Sequence, residues 1–276
     1  MTYLQFHLVF LIPVILVLSW FQHRGQGVGW VRGLGLAVIA LIAFVYTTPW
    51  DNYLVARGVW WYGADRVLMT IGYVPIEEYA FFILQPILTG LWLFYLIGRD
   101  PIDEPPTTSS LARYVGGALY LVVGAAGAYA LQFDSTLYLG LILAWAGPVL
   151  AFQWFIGGHR LWGHRRLWAF ATVLPTLYLW LADYLAIGKG IWYISEVYTT
   201  GLMVLGLPME EALFFLVTNL LVVQGLMLFL LVVRAWQRHG VWALLSAPVF
   251  TVPAEPEQSP APASKAEQPG TLVHAG

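Results

Sequence analysis

Seven stretches of about twenty mainly apolar residues divide this chain, near 3–20, 31–49, 76–98, 111–132, 136–157, 167–187 and 209–233. At 1.5 Å of rise per residue, each is long enough to cross a hydrocarbon core roughly 30 Å thick as a helix. Lipid offers no partners to a backbone N–H or C=O, so a spanning segment must bond internally, as a helix does. Composition agrees. Charged residues are 10% of the chain and apolar residues 59%, with a mean hydropathy of +0.72. A soluble surface needs about 25% charge. The sequence predicts an all-α integral membrane protein with seven transmembrane helices. A shorter apolar piece at 241–250 reads as interfacial or as part of the tail, and the Pro-, Ala- and Glu-rich segment after it as disordered.

Charge also sets an orientation. The net charge of −2 excludes a basic nucleic-acid binder. The absence of Cys excludes disulfides, thiolate catalysis and Cys-based metal sites. No Lys or Arg precedes Arg24 and no small-residue cleavage site follows the first span, so that span reads as a retained helix rather than a signal peptide. Of the 13 basic residues, ten fall on the side that holds the C-terminus, among them Arg24, Arg99, Arg113, Arg160, Arg165, Arg166 and Arg234. Only Arg57, Arg66 and Lys189 fall on the other. The excess of cations belongs inside. The expected protein is a multi-pass one in the cell membrane, with its N-terminus outside and its C-terminus cytoplasmic. Loops 50–75 and 188–208 then face outward.

The polar residues repeat. Residues 51–62, DNYLVARGVWWY, match 183–193, DYLAIGKGIWY, at an offset of 132. Residues 75–82, PIEEYAFF, match 208–215, PMEEALFF, at an offset of 133. The first spans align weakly, Tyr3 on Tyr138 and Pro13 on Pro148. This predicts a three-helix unit over 1–98, a linker with helix four over 99–135, a second three-helix unit over 136–235, and a terminal piece over 236–276. An odd number of spans precedes the second copy, so the two units run parallel, and their motifs converge at one membrane face.

Each Glu-Glu pair opens a hydrophobic helix just after Pro75 or Pro208, where Pro and a carboxylate suit the first turn. The doubling and the position at the rim of the hydrocarbon argue for more, because ionisable groups at membrane depth are costly and usually functional. Adjacent helical residues point about 100° apart, so one Glu of each pair faces a given pocket. Glu78 shares its face with Phe81, Phe82 and Gln85; Glu211 shares its face with Phe214, Phe215 and Thr218. A Glu that keeps its proton at neutral pH is a general acid. These two are favoured over Glu77 and Glu210. Asp51 and Asp183, read as following the ends of spans two and six, could orient a Glu or receive a proton. Arg57 and Lys189 read as anchors or partners of the carboxylates. The clusters Trp60-Trp61-Tyr62 and Trp192-Tyr193 fit an interfacial belt or walls whose ring faces stabilise a cation. Gly33-Leu34-Gly35 lacks the third Gly of a dinucleotide fingerprint. His159 and His164 lie in a basic loop without metal spacing. Paired carboxylates suit Mg²⁺, but no Asp-rich diphosphate motif accompanies them.

The doubled Pro-x-Glu-Glu-x-x-Phe-Phe and the preceding Asp…Gly-x-Trp block resemble the membrane-integral lycopene cyclases: the two-subunit bacterial type, its fused archaeal form and the cyclase half of fungal bifunctional carotenoid enzymes. The resemblance covers about residues 1–235 and leaves out the tail. It implies an isomerase, an intramolecular lyase, that turns the linear ψ ends of lycopene into β-ionone rings, giving γ-carotene and then β-carotene. It implies carboxyl catalysis by Glu78, Glu211, Glu77, Glu210, Asp51 and Asp183. The substrate would lie against Trp60, Trp61, Trp192, Tyr193, Phe81, Phe82, Phe214 and Phe215. It implies lycopene and other linear carotenoids as substrates, membrane lipid as surroundings, and other enzymes of carotenoid biosynthesis as partners. No metal is implied, and no flavin, since no nucleotide fingerprint is present. Relatives that act on C50 carotenoids or make ε rings share the resemblance. Three-plus-one-plus-three parallel helices also describe small transporters, but those line their path with polar groups near mid-membrane. A retinal protein needs a Lys within a late helix, and the two Lys here are Lys189 and Lys265.

Overall fold

The computed structural model describes residues 1–25, 29–99 and 111–246 of the 276. Seven helices among them are long and apolar enough to cross a membrane. They are α1 Tyr3–Arg24, α2 Gly29–Arg57, α3 Ile76–Arg99, α4 Leu111–Ala130, α5 Leu137–Gly163, α6 Arg165–Gly188 and α7 Met209–Ser246. Large apolar side chains such as Leu8, Leu16, Ile42, Val122, Phe170 and Leu181 point outward, as surfaces solvated by lipid require. The backbone of α7 runs unbroken through 241–246, so these residues continue the seventh helix rather than forming a separate piece. The predicted disordered tail and residues 247–250 lie outside the described residues.

One boundary and one turn depart from a regular helix, and Pro explains both. Pro49 does not end the second helix, which continues for more than two turns to Arg57. Its ring costs the Val45 carbonyl one helical bond, and neighbouring helices tolerate such a break in a membrane bundle. Asp51 therefore sits inside α2 rather than beyond its end. Asp183 likewise sits inside its helix, since α6 runs on to Gly188. In α1, Pro13 cannot donate to Val9, and the helix widens into a π turn over His7–Leu11.

Short strands complete the fold at one end of the bundle. Trp60–Tyr62 (β1) pairs antiparallel with Trp192–Ile194 (β4), in the register Trp60 to Ile194, Trp61 to Tyr193 and Tyr62 to Trp192. Thr70–Ile71 (β2) pairs with Val74–Pro75 (β3), and Met203–Val204 (β5) with Leu207–Pro208 (β6), each hairpin leading directly into a Glu-bearing helix. Gly58 and Gly190, at φ +74° and +64°, close α2 and α6 in the left-handed conformation that a side chain resists. Val59 N–H then reaches back to the Leu54 carbonyl and Ile191 N–H to the Ala186 carbonyl, each at 3.0 Å. This turn delivers the Trp at the second position after each Gly to the ladder.

The Glu-bearing helices α3 and α7 are central. They touch each other; α3 also packs on α1, α2 and α6, and α7 on α2, α5 and α6. A buried polar chain ties them at depth. Gln85 Nε2 and Thr89 Oγ1 both donate to Asn219 Oδ1 at 2.6 Å, and Asn219 Nδ2 donates to Thr176 Oγ1 at 3.0 Å. Helix α4 packs against α5 through small residues: a Cβ on Gly147 would lie 2.6 Å from Gly124 Cα. Such close backbone approach is a common way to bind helices in lipid.

Candidate active site

All six predicted carboxyls are buried at the strand-bearing end of the bundle. Within each adjacent Glu pair the two residues point apart. Glu77 Oε1 accepts the Leu68 N–H at 2.9 Å, and Glu210 Oε1 accepts the Thr200 N–H at 2.7 Å. Each thus pins the loop that precedes its own helix. Glu78 and Glu211 face inward, where phenols hold them. Tyr3 donates to Glu78 Oε2 at 2.8 Å, and Tyr62 donates to the same oxygen at 3.2 Å. Tyr138 donates to Glu211 Oε1 at 2.7 Å. Burial, and then the charge of Glu78, push the Tyr62 phenol well above its ordinary range, so it remains a donor at physiological pH.

Glu78 and Glu211 line one small chamber of about 30 Å³ with Tyr3, Phe6, Trp60, Tyr62, Phe81, Asp183, Trp192, Phe214 and Phe215. Asp183 Oδ1 accepts the indole N–H of Trp192 at 2.9 Å. Asp51 is fully buried within electrostatic range of Glu78 and Glu211, and neither of its oxygens has a hydrogen-bond partner among the described residues. The walls are aromatic edges and faces. Phe81 meets Phe215 at 6.2 Å, Trp60 meets Tyr138 at 5.5 Å, and Tyr3 meets Trp192 at 5.0 Å.

A larger apolar cavity of about 430 Å³ adjoins the chamber and shares Phe81 and Phe214 with it. Phe82, Gln85, Trp145 and Thr218 line it, and it follows α7 from Phe214 to Val232, about 27 Å at 1.5 Å per residue. The arrangement places carboxyls and aromatic rings at one end of a long apolar slot.

Not every predicted residue joins this site. Trp61 and Tyr193 stack on each other at 6.0 Å, are exposed, and do not line the chamber. Side chains alternate along a strand, so Trp60 and Tyr62 facing inward turn Trp61 outward. Phe82 lines the larger cavity rather than the chamber. Arg57 and Lys189 are exposed; the Arg57 guanidinium lies 5.8 Å from the centre of the Tyr198 ring instead of beside a chamber carboxyl. Thr218 spends its hydroxyl on the Phe214 carbonyl of its own helix.

The structure adds residues to which the sequence reading gave no role. Tyr3 and Tyr138 grip the carboxyls, and their only sequence signal was the weak alignment of the first spans. Trp50 stacks on Phe214 at 5.8 Å and on Trp145 at 5.1 Å, bracing the boundary between chamber and cavity. His7 is buried against Tyr3 and Phe81, with no partner for Nε2 among the described residues.

Comparison with known proteins bears on this geometry. A family model described as lycopene cyclase matches residues 1–96 and 135–230. A protein of Halobacterium salinarum named lycopene beta-cyclase is 44% identical over 236 residues, covering 86% of this chain and 99% of that protein. A bifunctional lycopene cyclase/phytoene synthase of Sporisorium reilianum is 32% identical over 83% of this chain and 35% of its own length. One of the same name from Aspergillus niger is 38% identical over 69% of this chain and 34% of its own. No solved structure matches the chain.

Proposed function

Because this chain belongs to the lycopene cyclase family, we propose that it is a lycopene β-cyclase, an intramolecular lyase that converts the ψ ends of lycopene to β-ionone rings. One observation carries the reading: a carboxyl from each half, Glu78 and Glu211, meets its counterpart in an aromatic chamber at the end of a long apolar cavity.

The reaction has three bond changes and no redox step. A carboxylic acid gives its proton to C2 of the end group, leaving a cation at C1. The C5=C6 electrons form the C1–C6 bond and move the charge to C5. The C6 proton then passes to a carboxylate, and the C5=C6 double bond returns. Each residue has a part in that sequence. Glu78 and Glu211 are the acid and base pair, held in place by Tyr3, Tyr62 and Tyr138. Trp60, Trp192, Phe81, Phe214 and Phe215 line the chamber, and the ring faces they offer stabilise the developing cation. Asp183 and Asp51 add negative charge nearby. Burial keeps out water, which would otherwise capture the cation as an alcohol. Glu77 and Glu210 hold loops. The polyene occupies the larger cavity, reached from the bilayer.

The two family matches are each 96 residues long and begin 134 residues apart, which supports duplication of a three-helix unit. The distribution of basic residues supports the strand-bearing end as the outer one. Reporters fused at Gly63 and after Arg238 are expected on opposite sides; the same side for both overturns that orientation. The activity itself is tested by expression in a lycopene-accumulating bacterium with pigment chromatography. Red lycopene should give way to γ-carotene and β-carotene. Unchanged lycopene in cells with verified membrane expression would sink the proposal, and ε-ring or C50 products would redirect it within the family.

A further inference from the structure

We infer that the two halves build one reaction chamber between them, so that one end of a linear carotenoid is cyclised per binding event. The second ring then requires the molecule to withdraw, turn end for end and return. This inference rests on the cyclase reading above.

A doubled catalytic motif and a substrate with two equivalent ends would suit a different design, with one site for each end. The geometry runs against it. Glu78 and Glu211, the matched carboxyls of the two halves, line the same chamber. Its volume of about 30 Å³ is room for two or three water molecules at ~10–15 Å³ each. It cannot hold two end groups. To hold even one it must open into the adjoining cavity, with which it shares Phe81 and Phe214.

The far end of a bound polyene meets different surroundings. The adjoining cavity carries amide and hydroxyl groups, Gln85, Gln153, Thr47 and Thr218 among them, but no carboxyl among the described residues lines it. An end group resting there has no comparable acid to protonate it. Nor can a finished ring leave past the strands. Backbone hydrogen bonds tie the two halves together over the chamber, from Ser195 N–H to the Val59 carbonyl at 2.8 Å and from Gly63 N–H to the Ile191 carbonyl at 2.9 Å. The route in is therefore the route out, across the Phe81–Phe214 boundary. Proton balance permits reuse. Each event spends one proton at C2 and recovers one from C6, so the carboxyl pair needs only an internal proton exchange before the second end arrives.

The test is an isotope dilution on membranes holding the full-length wild-type chain. Carbon-labelled lycopene is supplied first, and a large excess of unlabelled lycopene is added before the monocyclic product peaks. One chamber predicts a lag before bicyclic product. Labelled monocyclic carotene should persist, and labelled bicyclic carotene should fall in proportion to the dilution. Labelled bicyclic product formed without a lag and undiluted would overturn the inference. A second arm uses Glu78→Gln and Glu211→Gln at matched levels in the membrane. Loss of both rings in each variant supports one chamber. Retention of roughly half the wild-type rate in each, as two independent sites would give, overturns it. If the wild-type chain converts no lycopene in the undiluted control, the cyclase reading fails and takes this inference with it.

Discussion

The surroundings of Glu78 and of Glu211 share a scaffold and differ in their wiring. In both halves a Gly-closed helix leads to a strand, a hairpin follows, and a helix opens with two Glu. In both, the second Glu accepts a phenol from the first turn of a preceding helix, Tyr3 or Tyr138. The strands then diverge. Position 62 is Tyr and supplies a second donor to Glu78; the matching position in the other half is Ile194, which supplies none. Trp192 bonds Asp183, whereas the Trp60 N–H and both Asp51 oxygens have no hydrogen-bond partner among the described residues. On the proposed duplication, the differences around the two carboxyls suit them to different work. Two donors on one oxygen suit Glu78 to the carboxylate form, because hydrogen bonds to an ionised acceptor are the stronger ones. Glu211, with one phenol, suits the proton donor. An acid and a base facing one substrate end need that inequality.

Removing the carboxyls should have the largest effect. Glu78→Gln and Glu211→Gln keep size and polarity but lose the transferable proton, and general acid–base catalysis is worth about 10²–10⁴-fold. Each should nearly abolish ring formation while the protein still inserts. Glu77→Gln and Glu210→Gln should cost far less activity, because those residues bond loop N–H groups. The β-carotene to lycopene ratio, normalised to protein in the membrane, measures all four. Near wild-type ratios in either inward variant would remove that half from the chemistry.

The phenols come next. Tyr138→Phe removes the one hydrogen-bond donor that Glu211 has among the described residues, whereas Tyr3→Phe leaves Tyr62 on Glu78. As Glu211 gives up its proton, Tyr138 comes to donate to a developing carboxylate; a hydrogen bond to a charged group is worth about 1.5–3 kcal/mol, or roughly 10–150-fold in rate. The first variant should lose about that much, the second distinctly less, and Tyr3→Phe with Tyr62→Phe about as much as Tyr138→Phe alone. The loss should fall on kcat with KM little changed, since these groups touch the carboxyls rather than bind the polyene. Equal effects of Tyr3→Phe and Tyr138→Phe would erase the asymmetry.

The indoles should separate by stability. Trp192→Phe strands a buried Asp183 oxygen, at a cost of about 1–3 kcal/mol. Trp60→Phe deletes an N–H that has no partner to lose. Thermal inactivation in mild detergent should therefore come earlier for Trp192→Phe. The reverse order would mean that Asp51 and Trp60 are bonded through a group that the protein–protein contacts do not reveal.

How much of this was legible beforehand depended on how local the cause was. The seven helices were readable because lipid leaves a backbone few alternatives, and the inward Glu of each pair because a helix fixes the angle between neighbours. Asp51 reads as lying beyond its helix because Pro49 looks like a stop; in a bundle Pro49 is only a break in one hydrogen bond. Tyr3 and Tyr138 showed only as a faint alignment, since their partners lie 75 and 73 residues away. The second donor from Tyr62 depends on the strand pairing of two distant loops, and no periodicity within either loop announces it. Arg57 and Lys189 read as anchors or partners of the carboxylates; both are exposed, and phenols take the partner's place beside Glu78 and Glu211.

The smallest effect should belong to the pair that alternation turns away. Trp61 and Tyr193 sit opposite each other in the β1–β4 ladder, one position from the residues that wall the chamber, yet both are exposed and stack only on each other. Exposed substitutions away from special features change stability by about 0.5 kcal/mol or less, roughly a twofold change. Trp61→Leu and Tyr193→Leu should therefore leave the rate per inserted protein within about twofold of wild type, even though Trp60→Leu and Trp192→Leu, adjacent in sequence, change the chamber wall. Any loss should appear instead as less protein in the membrane, since amphipathic rings at the bilayer–water boundary anchor a loop there. The measurement separates the two by dividing pigment conversion by immunoblot signal from washed membranes. A large drop in conversion per protein for Trp61→Leu would mean that the ladder rotates when substrate binds, bringing the outer face of β1 to the chamber, and the inner and outer rings would then have to be reassigned.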